Sequence, residues 1–311
     1  MPPLPDCIER DLLKIEQMAV DDLKKAYQLC LKLQIQYAFT PDEAYFEIYA
    51  HVIRLLNKHN SILKNELVKS PTEQDFVGEV WTPIMSSIFN NRDLYLKWGD
   101  SVPQISTTAR KRLCEEEKMG DRVDMRVVTN IEGIAHDIST GEFANGSSGP
   151  GKFSDDYQKV LRESKVILDS IVNRKYISRS DARRLIICRV CFQATGLDGE
   201  LKIMRLVAPG LYTVQYVGSI LIPNHVEDLQ QLRKKCLPRL NYMKNQAVKN
   251  AKLLNAAVKK ETRAKKTKSS AYQRSPSHDD DADAHTRWTR GTWFPNSNRN
   301  TPIIIPSDIL C

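Results

Sequence analysis

DRVDMRVVTNIEGIAHDISTGEFA, residues 121–144, is the stretch on which the fold turns. Over residues 122–128 the apolar Val123, Met125 and Val127 alternate with Asp124 and Arg126, the period-two pattern of a strand with one face in a core. Residues 135–144 read as the return strand, so the stretch predicts a β-hairpin. Upstream, after Ser70-Pro71-Thr72, the residues Phe76, Val80, Trp81, Ile84, Ile88 and Phe89 form the apolar stripe of a helix, with Glu79 beside it. Downstream, a Gly- and Ser-rich loop at 145–152 leads to a helix start at Ser154-Asp155-Asp156, whose apolar face is Tyr157, Leu161, Ile167, Leu168 and Ile171. Three β-type runs follow: 185–192, 200–206 after the turn Leu197-Asp198-Gly199, and 212–222 after Pro209-Gly210. Turns that tight favour an antiparallel meander.

Working outward, residues 1–70 read as an N-terminal helical region. Ile15, Met18, Leu23, Ala26 and Leu29 recur at helical spacing, and Thr40-Pro41-Asp42-Glu43 has the form of a capping box ahead of Ala44, Ile48, Val52 and Leu55. This region is either a separate small domain or a cover over the sheet. After Pro223 a long helix begins near Val226, with Leu229, Leu232, Leu237, Leu240 and Val248 on its apolar side. Beyond about Lys260 the apolar periodicity ends, which predicts disorder. The fold class expected is α+β: N-terminal helices (1–70), a helix–hairpin–helix–antiparallel meander core closed by the C-terminal helix (71–258), and a basic, then disordered, tail (259–311).

Composition narrows the function classes. A hydrophobic fraction of 41% in 311 residues is enough for a real core. No apolar run reaches the roughly 20 residues of a membrane span, and the charged N-terminus is unlike a signal peptide. Seven scattered cysteines fit reduced thiols. The expected compartment is the nucleus, with the cytoplasm as the alternative. The net charge of +8 is concentrated: residues 233–274 hold fourteen Lys and Arg against the single acid Glu261, leaving the rest of the chain net acidic. Within that segment Lys259, Lys260, Arg263, Lys265, Lys266 and Lys268 resemble a nuclear-import signal and would attract phosphates, so they are the candidate nucleic-acid-binding residues.

Glu79 on a helix, Asp124 on one strand and Glu142 on the next form the most suggestive constellation. Carboxylates on neighbouring strands can hold one divalent metal through hard oxygen ligands, and Mg²⁺ bound by Asp124 and Glu142 is the cofactor this pattern implies. At these residues the chain resembles the PD-(D/E)XK nuclease-like (restriction-endonuclease-like) superfamily. From Glu79 to Pro223 it also looks like a family of mucoralean fungal proteins of unassigned activity with the same helix–hairpin–helix–meander order. The resemblance implies that Glu79 is the helix glutamate, Asp124 the metal-binding aspartate and Glu142 the glutamate of Glu-x-Lys. The lysine's place is taken by Ala144. Lys159, Arg162 and Lys165 on the following helix are the candidate substitutes, because a cation is needed to orient water and to meet charge developing on phosphate.

Rival motifs are weaker. Gly146 to Lys152 satisfies G-x-x-x-x-G-K, but Phe153 follows where a P-loop has Ser or Thr. Cys188-x-x-Cys191 has no second pair of ligands at zinc spacing, and a strand would point the two thiols apart, so core cysteines are expected. Two functions are therefore expected. One is a nucleic-acid-associated protein, binding DNA or RNA, with a degenerate nuclease-like domain, weakly active or inactive in Mg²⁺-dependent phosphodiester cleavage. The other is a non-enzymatic nuclear interaction protein whose tail, with Trp288, Trp293 and Phe294, binds a protein partner.

Overall fold

The hairpin forms as its alternation requires. In the computed structural model, which describes residues 3–58, 61–64, 71–111, 119–145, 149–177, 189–270 and 288–292, β2 (Val123–Ile131) pairs antiparallel with β3 (Ile134–Ala144). The two-residue turn between them, Glu132 and Gly133, has φ of 53° and 83°, the left-handed geometry that suits the twist of paired strands. A third strand, β1 (Tyr95–Ser101), lies on the outer side of β2. It was not expected, because the apolar alternation of Leu96 and Trp98 is only two residues long and gives way to Asp100, and its pairing is irregular between Trp98 and Ser101.

The sheet has six strands in the order β1-β2-β3-β4-β5-β6. Its last three strands, β4 (Arg189–Thr195), β5 (Asp198–Ala208) and β6 (Leu211–Leu221), pair antiparallel in chain order. The sheet as a whole is mixed, because β4 joins β3 in parallel. Parallel neighbours need a crossover, and α8 (Pro150–Val172) supplies it, starting at Pro150 in the favoured first-turn position.

One face of the sheet is aromatic. Phe143 lies 6.2 Å from Trp81, 5.6 Å from Trp98 and 5.7 Å from Phe192, centroid to centroid. Trp81 also donates its indole N–H to the Gly196 carbonyl at 2.8 Å. At Gly199 a Cβ would stand 2.8 Å from the Phe192 ring and 3.0 Å from Trp81, so only glycine allows this closeness. Because strand side chains alternate, fixing Phe143 on this face sends Glu142 to the other, beneath α8.

The N-terminal helices share the main core. They comprise α1 (Asp6–Asp21), α2 (Leu23–Gln36), α3 (Glu43–Asn57) and the short α4 (Ser61–Lys64). The expected Thr40–Glu43 capping box takes another form, with the Glu43 carboxylate accepting from the Phe39 N–H at 2.7 Å. The stripe helix consists of α5 (Glu73–Asp75), a π-helical turn (Phe76–Trp81) and α6 (Thr82–Ile88). At the C-terminal end, α9 (Leu229–Gln231), a π turn (Leu232–Cys236) and α10 (Leu237–Ser270) bury Leu237, Leu240, Met243, Ala247, Ala251, Leu254 and Ala257 along one side.

Disorder was expected past Lys260, but α10 continues to Ser270, and Trp288 to Thr292 dock on the body. Trp288 is buried, and its carbonyl accepts from the Gly210 N–H at 2.8 Å. The remaining tail residues, with Trp293 and Phe294, lie outside the described residues, as do Gly146–Ser148 and Cys188. Among the described residues no helix is long and apolar enough to cross a membrane.

Candidate active site

The β2–β3 register decides what meets under α8. Met125 pairs with Gly141, so one step along the ladder Asp124 stands across from Glu142. Like charges directly opposite one another on a sheet are destabilising. Asp124 accepts from the Phe143 N–H at 2.9 Å, and its carboxyl and that of Glu142 each act on the other's ionisation.

Glu142 is 2% exposed. One of its oxygens accepts from Lys159 Nζ at 2.5 Å, while Oε1 is buried with no donor. Burial first, and then the Asp124 charge, push the Glu142 carboxyl up to about 9. Burial raises Asp124 as well. Burial opposes the charge on Lys159, but Glu142, Asp124 and Asp156 together outweigh it and raise the ammonium's pKa. Among the described residues, the site is a partly buried acid pair bonded to one cation, Lys159.

Of the three candidate cations on α8, only Lys159 bonds the acid pair. Arg162 bonds Asp121 at 2.9 Å. Lys165 bonds Asp169 at 2.7 Å and also holds the C-terminal segment, through the Arg290 carbonyl at 2.5 Å and Thr292 Oγ1 at 3.0 Å. A spacing of three residues lets each successive side chain drift around the helix, and over two steps that drift separates three destinations.

Glu79 is exposed, and its carbonyl is bonded to His51 at 2.8 Å. The acid on this helix whose charge reaches Asp124 and Asp156 is Glu73. It holds Lys152, the lysine of the P-loop-like motif, in a salt bridge. A π turn begins between Glu73 and the exposed Glu79, the helix glutamate that the resemblance implies, and it changes the helical phase from one acid to the other.

Gln193 is a further site residue not found from sequence. It stands beside Glu142 in the parallel β3–β4 register, donates to the Phe153 carbonyl at 2.9 Å, and keeps a buried Oε1 with no donor. Only the crossover makes the two strands neighbours, so nothing local in the sequence marks it.

Among the described residues no group of three or more His, Cys, Asp and Glu is arranged to hold a metal ion. Mg²⁺ is commonly held by one or two carboxylates, with waters and substrate phosphates completing the shell. Asp124 and Glu142, with the donorless Oε1, fit that demand.

The candidate phosphate-binding lysines lie on α10. Lys259, Lys260 and Arg263 are exposed, and Lys265, Lys266 and Lys268 continue the same helix. Three earlier cations of the basic segment are engaged elsewhere, while Lys234, Lys235, Lys249 and Lys252 are exposed. Arg233 is buried against Glu9 and Glu16, Arg239 bonds the Ser219 carbonyl, and burial lowers Lys244. The chain matches no family model, no curated protein and no solved structure.

Proposed function

We propose that this chain is a nucleic-acid-associated protein whose α+β core is nuclease-like and carries a metal-dependent phosphodiester site at Asp124, Glu142 and Lys159. The observation that carries the reading is the meeting of the two carboxylates with Lys159, which brings a cation to the glutamate two residues before Ala144. The order of elements supports it: a helix, an antiparallel hairpin, a crossover helix and a parallel strand are the parts of a restriction-endonuclease-like core.

Asp124 and Glu142 would hold Mg²⁺, which when bound supplies an activated water and a charge to meet the phosphate. Lys159 orients that water and faces the developing negative charge. The exposed cations of α10 attract the backbone phosphates without reading sequence. Nuclear location fits that basic run. Because Lys159 is already bonded to Glu142, activity should be weak.

The same bond favours a second reading, in which the protein binds nucleic acid or a protein partner and the acid pair is inert. Cleavage of a supercoiled plasmid with Mg²⁺ or Mn²⁺, by wild type and by Asp124→Ala, Glu142→Gln and Lys159→Ala, separates the two. Loss of wild-type nicking by roughly a hundredfold in each variant supports the site. Equal nicking in all four, including none, overturns it and leaves the binding reading.

A further inference from the structure

On the same face of the sheet as the acid pair, a cleft of about 890 Å³ opens between β1 to β3, α7 (Gln104–Lys111), α8 and the docked segment Trp288–Thr292. That volume lies within the range of small-molecule and cofactor sites. Its floor includes Val102, Ile105 and Val166, and its rim is charged.

The acids of the rim are already answered. Asp137 takes both arms of Arg126, at 2.7 and 2.9 Å, with both residues buried. Asp169 takes Lys165 at 2.7 Å and the Tyr212 hydroxyl at 2.5 Å. The remaining cations are not answered in the same way. Lys97 and Arg290 are exposed and have no carboxylate partner among the described residues. Arg174 meets Glu261 at 3.3 Å, a loose pair. His136 Nε2 is buried at the cleft with no hydrogen-bond partner. A cleft whose acids are neutralised internally while its free charges are positive selects an anion.

Two connections indicate which anion. Arg126 follows Asp124 by two residues on the same face of β2, so the cleft begins about 7 Å along the strand from the acid pair. Glu261, which holds Arg174 at the rim, sits between Lys260 and Arg263 on α10, so the exposed basic run starts at the cleft's edge.

We infer that this cleft is a phosphate-binding site for a nucleotide-sized ligand, in which Lys97, Arg174 and Arg290 meet the phosphates and the apolar floor takes the face of a base or sugar. The phosphates can belong to a free nucleotide or to a nucleic-acid strand. The second source rests on the function proposed above, with the cleft gripping the strand beside the acid pair.

The test is fluorescence anisotropy in EDTA, with a short labelled oligo-dT and a fluorescent adenine nucleotide as separate probes. Full-length wild type is compared with Lys97→Glu/Arg290→Glu and with Lys14→Glu/Lys25→Glu, an equal charge change on α1 and α2, which do not line the cleft. All four side chains are exposed, and a thermal melt confirms that both variants fold. The cleft variant should bind at least one probe more weakly by about tenfold or more, with the control changed less than about twofold. Loss with the nucleotide alone assigns a free nucleotide, and loss with oligo-dT alone or with both assigns the strand. Equal losses in both variants, no loss in the cleft variant, or no wild-type binding of either probe overturns the inference. Binding is read with no divalent metal present and cleavage only with it, so failure of the acid pair as a nuclease leaves this result standing, and the reverse also holds.

Discussion

Two ionic clusters in this molecule contrast sharply. Under the N-terminal helices, Arg233 gives Nε and Nη2 to the two oxygens of Glu16, at 3.0 Å each, and Nη1 to Glu9 at 2.7 Å, while the Tyr49 hydroxyl adds a bond to Glu16 at 2.7 Å. Both oxygens of the buried Glu16 have donors. Under α8, Glu142 has a buried oxygen with no donor and a second acid across from it. The first cluster is complete as it stands and ties α1 to the C-terminal helix. The second is short of positive charge in a place where burial makes that shortage costly. Under the function proposed above, incomplete neutralisation of this kind belongs to a site that takes up a cation or a substrate, and a satisfied cluster belongs to scaffold.

If that distinction holds, the largest effect on folding should come from the satisfied cluster. Arg233→Ala strands the Glu16 carboxylate in the core and should destabilise the protein by about 3 to 5 kcal/mol in urea unfolding, as breaking buried pairs does. A loss below about 1 kcal/mol would mean that the cluster is ornamental and would remove one side of the contrast.

Next in size is the pH response of the incomplete cluster. The folded-state pKa of Glu142, about 9, lies above the ordinary 4.5. A raised value means that the folded protein holds the proton more tightly than the unfolded chain does. That stabilisation is complete below about 4.5 and is lost as pH climbs through to about 9. Wild type should therefore lose stability relative to Glu142→Gln between pH 5 and pH 9. Parallel melting curves of the two proteins across that window would show that Glu142 is not held protonated.

A smaller effect is expected from metal. Millimolar Mg²⁺ or Mn²⁺ should raise the wild-type melting temperature by roughly a few degrees at pH 8, following the mass-action stabilisation of a folded state that alone binds the ion. The same addition should leave Asp124→Ala unmoved. An equal rise in both would place the ion elsewhere.

The sequence exposes these features unevenly, for physical reasons. Asp124 and Glu142 were legible as strand carboxylates because a half-buried hairpin writes its faces into a period-two alternation, but their pairing was not, since a β-bulge between Val127 and Val128 shifts by one residue the offset that the turn at Glu132 and Gly133 sets. Lys159 was legible only as one of three, since helical spacing alone does not say which residue faces the sheet. Glu73 and Gln193 were hidden. The first lies across a π turn that breaks helical phase, and the second lies across a parallel pairing that no local pattern encodes. The docked segment at 288–292 was hidden as well. It is held in part through the carbonyls of Trp288 and Arg290, and a backbone carbonyl is the same at every position.

The smallest expected change in stability belongs to α10, where the contrast can be sharpened at the surface. Lys259 and Lys260 are exposed and lie outside both clusters, so Lys259→Glu/Lys260→Glu should alter unfolding free energy by no more than about 0.5 kcal/mol. If these lysines meet phosphates, the same variant should bind an oligonucleotide more weakly at low salt. The slope of log affinity against log salt should also fall by roughly one for each phosphate no longer neutralised. A full slope in the double variant would assign phosphate binding to the cleft cations Lys97, Arg174 and Arg290 in place of the helix. Charge that is free at the surface can be removed with little effect on the fold, and charge satisfied in the core cannot. That property separates the α10 lysines from Arg233, which belongs to the same basic run in sequence and to the scaffold in space.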